Sequence, residues 1–302
     1  MTDRLPEALV LFPGALGDLL CCWPGIDGLI ASGYAVTLAS RTDLSGVLPP
    51  DGLRLDSIER REVTDLFANS PLALATRAYF AGFDRIDSFT GAADPAFAAR
   101  LTAAAGRPVS VHPFRGMRID DFAFAYYARC LGTHPRVRVL PVAVEAEQWA
   151  TALWQNHQLG SRALAIHPGS GGVAKNWEGM ATLADGWRRA GGTVVAILGP
   201  AEIELGTTIP ADVVLDAEPL PHVAAVLRRA QRYLGNDSGI SHLAGLVGAQ
   251  ALVLFADSDP MIWAPLGPEV RVRRAAPTCR RCGPGRFCVH RLPVDLVQVA
   301  LN

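Results

Sequence analysis

The sequence predicts an α/β protein made of two doubly wound halves, each built around a parallel sheet. Short apolar runs alternate with longer amphipathic stretches along the whole chain, which is the pattern of parallel β-α units. A length of 302 residues favours two domains at about 150 residues each. The composition, 50% hydrophobic and 19% charged residues, is typical of a compact soluble protein.

In the first half, four apolar runs predict strands, and the amphipathic stretches between them predict helices. The strands are expected at 8–12, 35–39, 85–88 and 109–111. The helices are expected at 19–31, 71–80, 95–105 and 120–131.

A second series begins after residue 142, before a helix that carries two tryptophans. Its strands are expected at 163–167, 193–198, 232–235 and 250–255, and its helices at 180–190, 222–230 and 238–247. We therefore predict domains at 1–142 and 143–276, followed by a cysteine-containing tail at 277–302. If the two halves face each other, a ligand crevice lies between the carboxyl ends of their strands.

Charge and motif patterns exclude several classes of protein. A net charge of −1 and a pI of about 6.7 argue against a nucleic-acid binder, which normally carries a basic surface. The loops after the strands contain neither GxGxxG nor GxxxxGK[ST], so nicotinamide oxidoreductases and P-loop hydrolases lose their main support.

The opening residues do not form a secretion signal, and we expect a cytoplasmic protein. The charge-free run 238–256 is divided by Gly248 into a helix-like and a strand-like half and does not predict a membrane span.

The loop at 167–177, HPGSGGVAKNW, combines backbone freedom with a cation. Its glycines allow N–H groups to approach an anion. Lys175 is the only lysine among 28 basic residues, and a compact ammonium at this position suits a phosphate group. Taken alone, the pattern fits an ordinary surface loop equally well.

The loop at 235–242, GNDSGISH, reads as the start of a helix. Asp237 or Ser238 is suited to cap it, and the unpaired N–H groups of a first helical turn form an anion site. His242 lies one turn later, where it either reaches the same ligand or fills a core position. Together with the Lys175 loop, this helix start predicts a clamp for a diphosphate that needs no metal ion.

Asp18 ends the loop PGALGD, which follows the first predicted strand. It fits a helix N-cap, or a general base that takes a proton from an acceptor hydroxyl as this oxygen attacks a sugar carbon. Its position in the first crevice loop favours the general base.

Six arginines of the first half are available to an anionic acceptor, although each one singly fits a solvated surface better. They are Arg41, Arg60, Arg61, Arg77, Arg115 and Arg118.

These loops together resemble the ADP-heptose:lipopolysaccharide heptosyltransferases, glycosyltransferase family 9. The matching segments are PGALGDLL (13–20), HPGSGGVAKNWE (167–178) and GNDSGISHLAGLVGAQALVLFADSDPMIWAPLG (235–267), and the tail at 279–301 also looks like that of the family. The resemblance covers nearly the whole second half. In the first half it rests almost entirely on the opening loop.

The resemblance implies a GT-B fold, in which two Rossmann-like domains face each other across an interdomain crevice. It implies that domain 1–142 binds the acceptor and that domain 143–276 binds a nucleotide-sugar donor, with ADP-heptose as the expected donor. The reaction would be inverting and would need no metal or other cofactor. The acceptor would be a glycan, such as the lipopolysaccharide core, or a lipid-linked saccharide, with peripheral contact at the inner face of the membrane at most.

The resemblance also implies roles for individual residues. Asp18 would be the general base, and Lys175 would act on the departing diphosphate. Glu202, in a Gly-Pro-Ala-Glu turn after a strand, would bind the ribose, or else lie solvated in its loop. The implied donor-binding residues are Ser170, Gly171, Lys175, Glu202, Asp237, Ser238, Gly239 and His242.

The tail carries three cysteines and a histidine within twelve residues, at Cys279, Cys282, Cys288 and His290. Such a set could close a tetrahedral zinc site. The tight Cys-x-His spacing and the likeness to the family's tail favour reduced cysteines instead, in a tail that packs back on the N-terminal domain.

Two functions of other classes stay open. A nucleotide-sugar epimerase or hydrolase on the same fold would turn over the donor without an acceptor. A non-catalytic nucleotide-sugar-binding partner protein would show no turnover.

Overall fold

The computed structural model describes residues 4–274, 289 and 292–301. The chain divides into two compact units, Met1–Arg136 and Val137–Asn302. The division lies close to the boundary at 142 that the sequence predicts. That the two halves face each other across a crevice stays a prediction.

Within its described residues, the first unit contains a five-stranded parallel sheet in the order β3-β2-β1-β4-β5. Its strands are β1 (Glu7–Leu11), β2 (Ala35–Ser40), β3 (Leu53–Ser57), β4 (Arg85–Ser88) and β5 (Ser110–Val111). Its helices are α1 (Leu16–Ala31), α2 (Arg61–Thr64), α3 (Leu74–Ala81), α4 (Pro95–Ala105) and α5 (Ala123–Cys130), with a 3₁₀ turn at Asp65–Phe67.

The second unit contains, in the part that the structure describes, a six-stranded parallel sheet in the order β11-β10-β9-β6-β7-β8. Its strands are β6 (Ala163–His167), β7 (Thr193–Leu198), β8 (Val213–Asp216), β9 (Arg232–Asn236), β10 (Ala251–Phe255) and β11 (Val270–Arg274). Its helices are α6 (Val144–Asn156), α7 (Met180–Arg189), α8 (Pro200–Glu204), α9 (Leu220–Arg229), α10 (Gly239–Leu246), α11 (Pro260–Trp263) and α12 (Val294–Leu301), with a 3₁₀ turn at Val173–Lys175.

Both sheets have the strand order of doubly wound nucleotide-binding folds, so the predicted α/β class with parallel sheets is confirmed. In the first sheet β1 pairs with β4, and Leu11 lies opposite Ser88. In the second sheet β6 pairs with β9, and His167 lies opposite Gly235. At these two pairs the direction of winding reverses, and the loops at the carboxyl ends of such strands are where ligands bind in open α/β sheets.

The central strands are recognisable in the sequence because both faces of a parallel sheet are covered. β6 and β10 are buried at every position and therefore read as continuous apolar runs. In contrast, β3, β8 and β11 were not predicted. Each lies at an edge of its sheet and alternates buried or half-buried with more exposed residues, as in the VRVRR of β11.

The described part of the tail, 289 and 292–301, packs in the second unit. Val297 and Leu301 of α12 lie in the apolar core of that unit with Trp177 and Trp187. That the rest of the tail packs back on the N-terminal domain stays a prediction. The indole N–H of Trp177 also donates to the carbonyl of Leu292 at 3.0 Å. α12 therefore completes the second unit by covering α7.

The apolar run 238–256 forms two elements, as predicted. It comprises α10 and β10, and Gly248 between them has a φ of +79°, which suits glycine in the left-handed region. Among the described residues, no helix has both the length and the apolar character that a membrane crossing requires.

Candidate active site

Asn236 organises the site of the second unit. It ends β9, and its side chain is completely buried. Its amide Nδ2 donates to the carbonyl of Pro168 at 2.7 Å, and its Oδ1 accepts the N–H of Trp177 at 3.1 Å. Asn236 thereby holds both ends of the glycine-rich loop after β6 against the neighbouring strand, and the loops after β6 and β9 meet at the switch point of the sheet.

Lys175 and Asp237 form an ion pair between these two loops. Lys175 Nζ lies 2.8 Å from Asp237 Oδ2, and the hydroxyl of Ser258, from the loop after β10, donates to the same oxygen. The carboxylate is 9% exposed and the lysine side chain 34% exposed. The negative charge is thus buried and held by two donors, while the ammonium, which has three N–H donors, reaches toward solvent.

Ser170 and Gly171 lie on the outer part of the same loop. The Ser170 hydroxyl is 2.7 Å from both the Gly172 carbonyl and Asn176 Oδ1, so it shapes the loop from within. Gly171 is exposed, and a Cβ added there would meet no described atom within 4 Å. The loop is therefore held by hydrogen bonds at Ser170, while its outer side at Gly171 has space for a ligand.

The helix that follows β9 begins as the sequence suggests, with one refinement. Ser238 is the N-cap, and its Oγ accepts the N–H of Ser241 at 3.3 Å. Asp237 is therefore not the capping residue, and its carboxylate is instead the partner of Lys175. The N–H groups of Gly239 and the residue after it open the helix, where no intrahelical carbonyl reaches them. His242 lies one turn on and is buried.

Glu202 lies beside the glycine-rich loop rather than in solvent. Its Oε2 accepts the N–H of Gly199 at 2.9 Å and so caps α8. Its Oε1 lies against Gly169, where an added Cβ would come within 1.9 Å of that oxygen. A buried side chain with these contacts is not the solvated residue of the second interpretation, and its role toward ribose stays a prediction.

His167, at the end of β6, is buried and donates its Nδ1–H to the Ile197 carbonyl at 2.9 Å. Burial lowers the pKa of His167 below its ordinary value, against the smaller opposing effects of this hydrogen bond and of Glu202. The imidazole is therefore a neutral support under the loop.

Asp18 lies in the first turn of α1 in the first unit, and it is not the N-cap. The N-cap position is Ala15, which makes no side-chain capping bond. The Asp18 carboxylate instead accepts two hydrogen bonds from Arg115, with Nε 3.1 Å from Oδ1 and Nη2 2.9 Å from Oδ2. Of the six arginines considered as acceptor ligands, Arg115 is thus the partner of the candidate base.

Three features of the two loop regions were not predicted from the sequence. They are the hydrogen bonds of Asn236, the contact of Ser258 with Asp237 and the pairing of Arg115 with Asp18. For Asn236 a signal existed, because an amide at the end of a buried strand needs hydrogen-bond partners. For the other two, the residues in contact are 21 and 97 positions apart, and nothing local in the sequence connects them.

Within the described ranges, no group of three or more His, Cys, Asp or Glu side chains is arranged to hold a metal ion. The four residues of the possible zinc site, Cys279, Cys282, Cys288 and His290, lie outside these ranges.

Comparison with protein families supports the resemblance. Residues 138–283, which lie within the second unit, match the model of Glycosyltransferase family 9 (heptosyltransferase). No curated protein sequence shows significant similarity to the chain. The family match confirms, for the second half of the chain, the resemblance that the motifs indicated, and it supports glycosyltransferase activity.

Solved structures extend the likeness over both units. The ADP-heptose LPS heptosyltransferase II of E. coli has a TM-score of 0.70 at 18% identity, with 98% of this chain and 97% of that chain covered. A glycosyltransferase of family 9 from Veillonella parvula has a TM-score of 0.68 at 18% identity, with 90% and 87% covered. The E. coli heptosyltransferase WaaC, solved with ADP, has a TM-score of 0.64 at 18% identity, with 97% and 98% covered. These likenesses show that the fold is GT-B.

Proposed function

We propose that the protein transfers a sugar from a nucleotide-sugar donor to a hydroxyl group of a saccharide acceptor. The observation that carries this proposal is the meeting of a lysine ammonium and a helix start at the switch point of the second sheet, where Lys175 lies 2.8 Å from Asp237. The match to a glycosyltransferase family over residues 138–283 supports it, as does the ADP in the structure of WaaC.

Lys175 is the residue that we expect to contribute most to holding the donor diphosphate. A full charge about 4 Å from a phosphate oxygen contributes about 4 kcal/mol at an effective dielectric constant near 20, before desolvation. The helix start at Ser238 contributes about 0.3 to 1 kcal/mol, or up to about 2 kcal/mol when partly buried. Ser170, Gly171, Glu202, Gly239 and His242 complete the proposed donor site.

Asp18 is the proposed general base. Its carboxylate takes the proton of the acceptor hydroxyl, the acceptor oxygen forms a bond to the anomeric carbon, and the bond from that carbon to the diphosphate oxygen breaks. Lys175 and the α10 helix start stabilise the negative charge that develops on the departing diphosphate. A single displacement of this kind inverts the anomeric configuration.

We further propose that the donor is ADP-heptose, that the acceptor is a lipopolysaccharide core or another lipid-linked saccharide, and that no metal ion takes part. The donor proposal follows the family description and the neighbours named above. A lipid-linked acceptor would bring the protein to a membrane surface.

The proposal is tested by measuring binding first and turnover second. Thermal shifts with ADP, UDP, GDP and CMP identify the nucleotide, and the matching sugar nucleotide is then incubated with and without a saccharide acceptor. We expect stabilisation by ADP and donor consumption only when acceptor is present, unchanged in EDTA. Consumption without acceptor indicates an epimerase or hydrolase, and binding without any turnover indicates a partner protein. Metal analysis of the same sample tests the zinc alternative for the tail.

A further inference from the structure

The pairing of Asp18 with Arg115 has the geometry of an orienting contact. Two guanidinium nitrogens meet two carboxylate oxygens, at 3.1 Å and 2.9 Å. The Asp18 side chain is 8% exposed, whereas that of Arg115 is 58% exposed. A planar two-point contact fixes both the direction and the rotation of a carboxylate, which a single ammonium cannot do.

The loop that carries Arg115 is itself held in place. The ring of Phe114 packs edge-on against Phe12 at 5.6 Å between centroids. The hydroxyl of Tyr127 donates to the Phe114 carbonyl at 3.1 Å, and the hydroxyl of Tyr126 donates to the carbonyl of Pro113. Both tyrosines belong to α5, which packs against α1, the helix that contains Asp18. The arginine and the aspartate are therefore anchored to the same pair of helices.

We propose that Arg115 is the positioning residue of the base, which holds the Asp18 carboxylate in one orientation toward the acceptor hydroxyl. This inference rests on the proposed function of Asp18. Each carboxylate oxygen has two lone-pair sites, and the guanidinium occupies one on each. The pairing therefore leaves the carboxylate able to accept a proton, while the positive charge offsets the cost of keeping a buried negative charge.

A positioning residue and an acceptor ligand differ in which kinetic constant changes when Arg115 is replaced. Loss of the guanidinium leaves a buried carboxylate without its two-point partner, so Asp18 loses its fixed orientation. This loss acts on kcat. An acceptor ligand would change the KM for the acceptor instead.

The experiment compares Arg115→Gln and Arg115→Lys with a matched control. Arg188 of α7 forms a similar two-point pair with Asp212, at 3.2 Å and 2.9 Å, so Arg188→Gln removes an ion pair of the same geometry away from the site. We expect kcat to fall about 100-fold in Arg115→Gln, the effect of misplacing a reacting group by about 1 Å. Arg115→Lys should recover part of the loss, and Arg188→Gln should match wild type.

A double variant keeps the inference separate from the proposed function. If Arg115 acts through Asp18, the variant Asp18→Asn/Arg115→Gln should be no slower than Asp18→Asn alone. Additive losses in the double variant overturn the inference, as does an Arg115→Gln variant that raises the acceptor KM at unchanged kcat. Full turnover by Asp18→Asn contradicts the proposed function instead, whatever Arg115 does.

Discussion

Each unit buries a carboxylate at the carboxyl edge of its sheet and pairs it with a more exposed cation, but the two cations differ. In the first unit, Arg115 contacts both oxygens of Asp18. In the second unit, Lys175 contacts one oxygen of Asp237 and shares it with the Ser258 hydroxyl. The two carboxylates are almost equally buried, at 8% and 9% exposed.

The difference suits two different tasks. A guanidinium fork holds a carboxylate in one orientation, which a base requires before it can take a proton in a fixed direction. An ammonium on a flexible stem is a point charge that can turn from one oxygen to another, which suits a site that is filled and emptied by a diphosphate. The predictions below test this division between an oriented base and a mobile cation.

The largest effect is expected for Asp18→Asn, which removes the base and preserves the shape of the side chain. Turnover should fall by about 100- to 10,000-fold, the usual contribution of a general base, while ADP affinity stays unchanged. The measurement is a steady-state transfer assay together with calorimetric titration of ADP. Asp121→Asn, which loses a peripheral pair with Arg129, is the control, and a similar rate in the two variants would remove Asp18 from the mechanism.

The next largest effect is expected for Lys175→Ala, which removes the mobile cation. ADP should bind about 100- to 1,000-fold more weakly, because the diphosphate loses its partner and meets the unpaired charge of Asp237. The double variant Lys175→Ala/Asp237→Asn should recover part of the loss, a coupling that a double-mutant cycle measures.

The control for Lys175 is Arg189→Ala, which removes an exposed cation paired with Asp185 in the same unit. Its ADP affinity should equal that of wild type. Equal affinities in Lys175→Ala and Arg189→Ala would show that the ammonium does not hold the donor.

A half-buried histidine, His112, and a buried one, His167, extend the comparison to stability. Burial by itself lowers the pKa of His112, but hydrogen bonds with Asp87 and Cys130 outweigh it and raise the pKa to about 9. The proton on His112 is bound more tightly in the folded state than in the unfolded one, so its stabilisation is complete below about pH 6.5 and disappears as pH rises through about 9. His167 has the opposite shift, because burial lowers its pKa, and its contribution is lost as pH falls below about 6.5.

The measurement is the free energy of unfolding in urea from pH 5 to pH 10 for wild type, His112→Gln and His167→Gln. The advantage of wild type over His112→Gln should shrink by about 2 to 3 kcal/mol between pH 6.5 and 9.5. The advantage over His167→Gln should shrink toward acid pH instead. A constant difference from His112→Gln over this range would mean that His112 is neutral beside the buried Asp87.

Sequence reasoning found what was local and missed what depended on distant partners. The sequence predicts the buried strands β6 and β10 because they are continuous apolar runs. It predicts the loop between β6 and α7 because glycines allow backbone freedom there. The edge strand β11 was not predicted, since VRVRR at a half-covered edge has no continuous apolar run. Lys175 and Asp237 were each predictable as candidates from the sequence of their own loops. The pairing of Asp18 with Arg115 was not predictable, because it forms only when the sheet brings the segments after β1 and β5 together.

The smallest effects concern two glycines, one in each site loop. A Cβ at Gly14 would lie 2.6 Å from the Phe12 ring, 2.8 Å from Asp18 Cβ and 2.9 Å from the Phe114 ring, whereas a Cβ at Gly171 meets nothing described within 4 Å. Gly14→Ala should therefore cost about 1 to 2 kcal/mol in urea unfolding, and Gly171→Ala should change stability by less than about 0.5 kcal/mol. Because the crowding at Gly14 includes the base itself, turnover should fall along with stability in Gly14→Ala. Equal stabilities of the two variants would show that the loop around Asp18 is as open as the donor loop, and the contrast between a rigidly held base and a mobile cation would lose its structural basis.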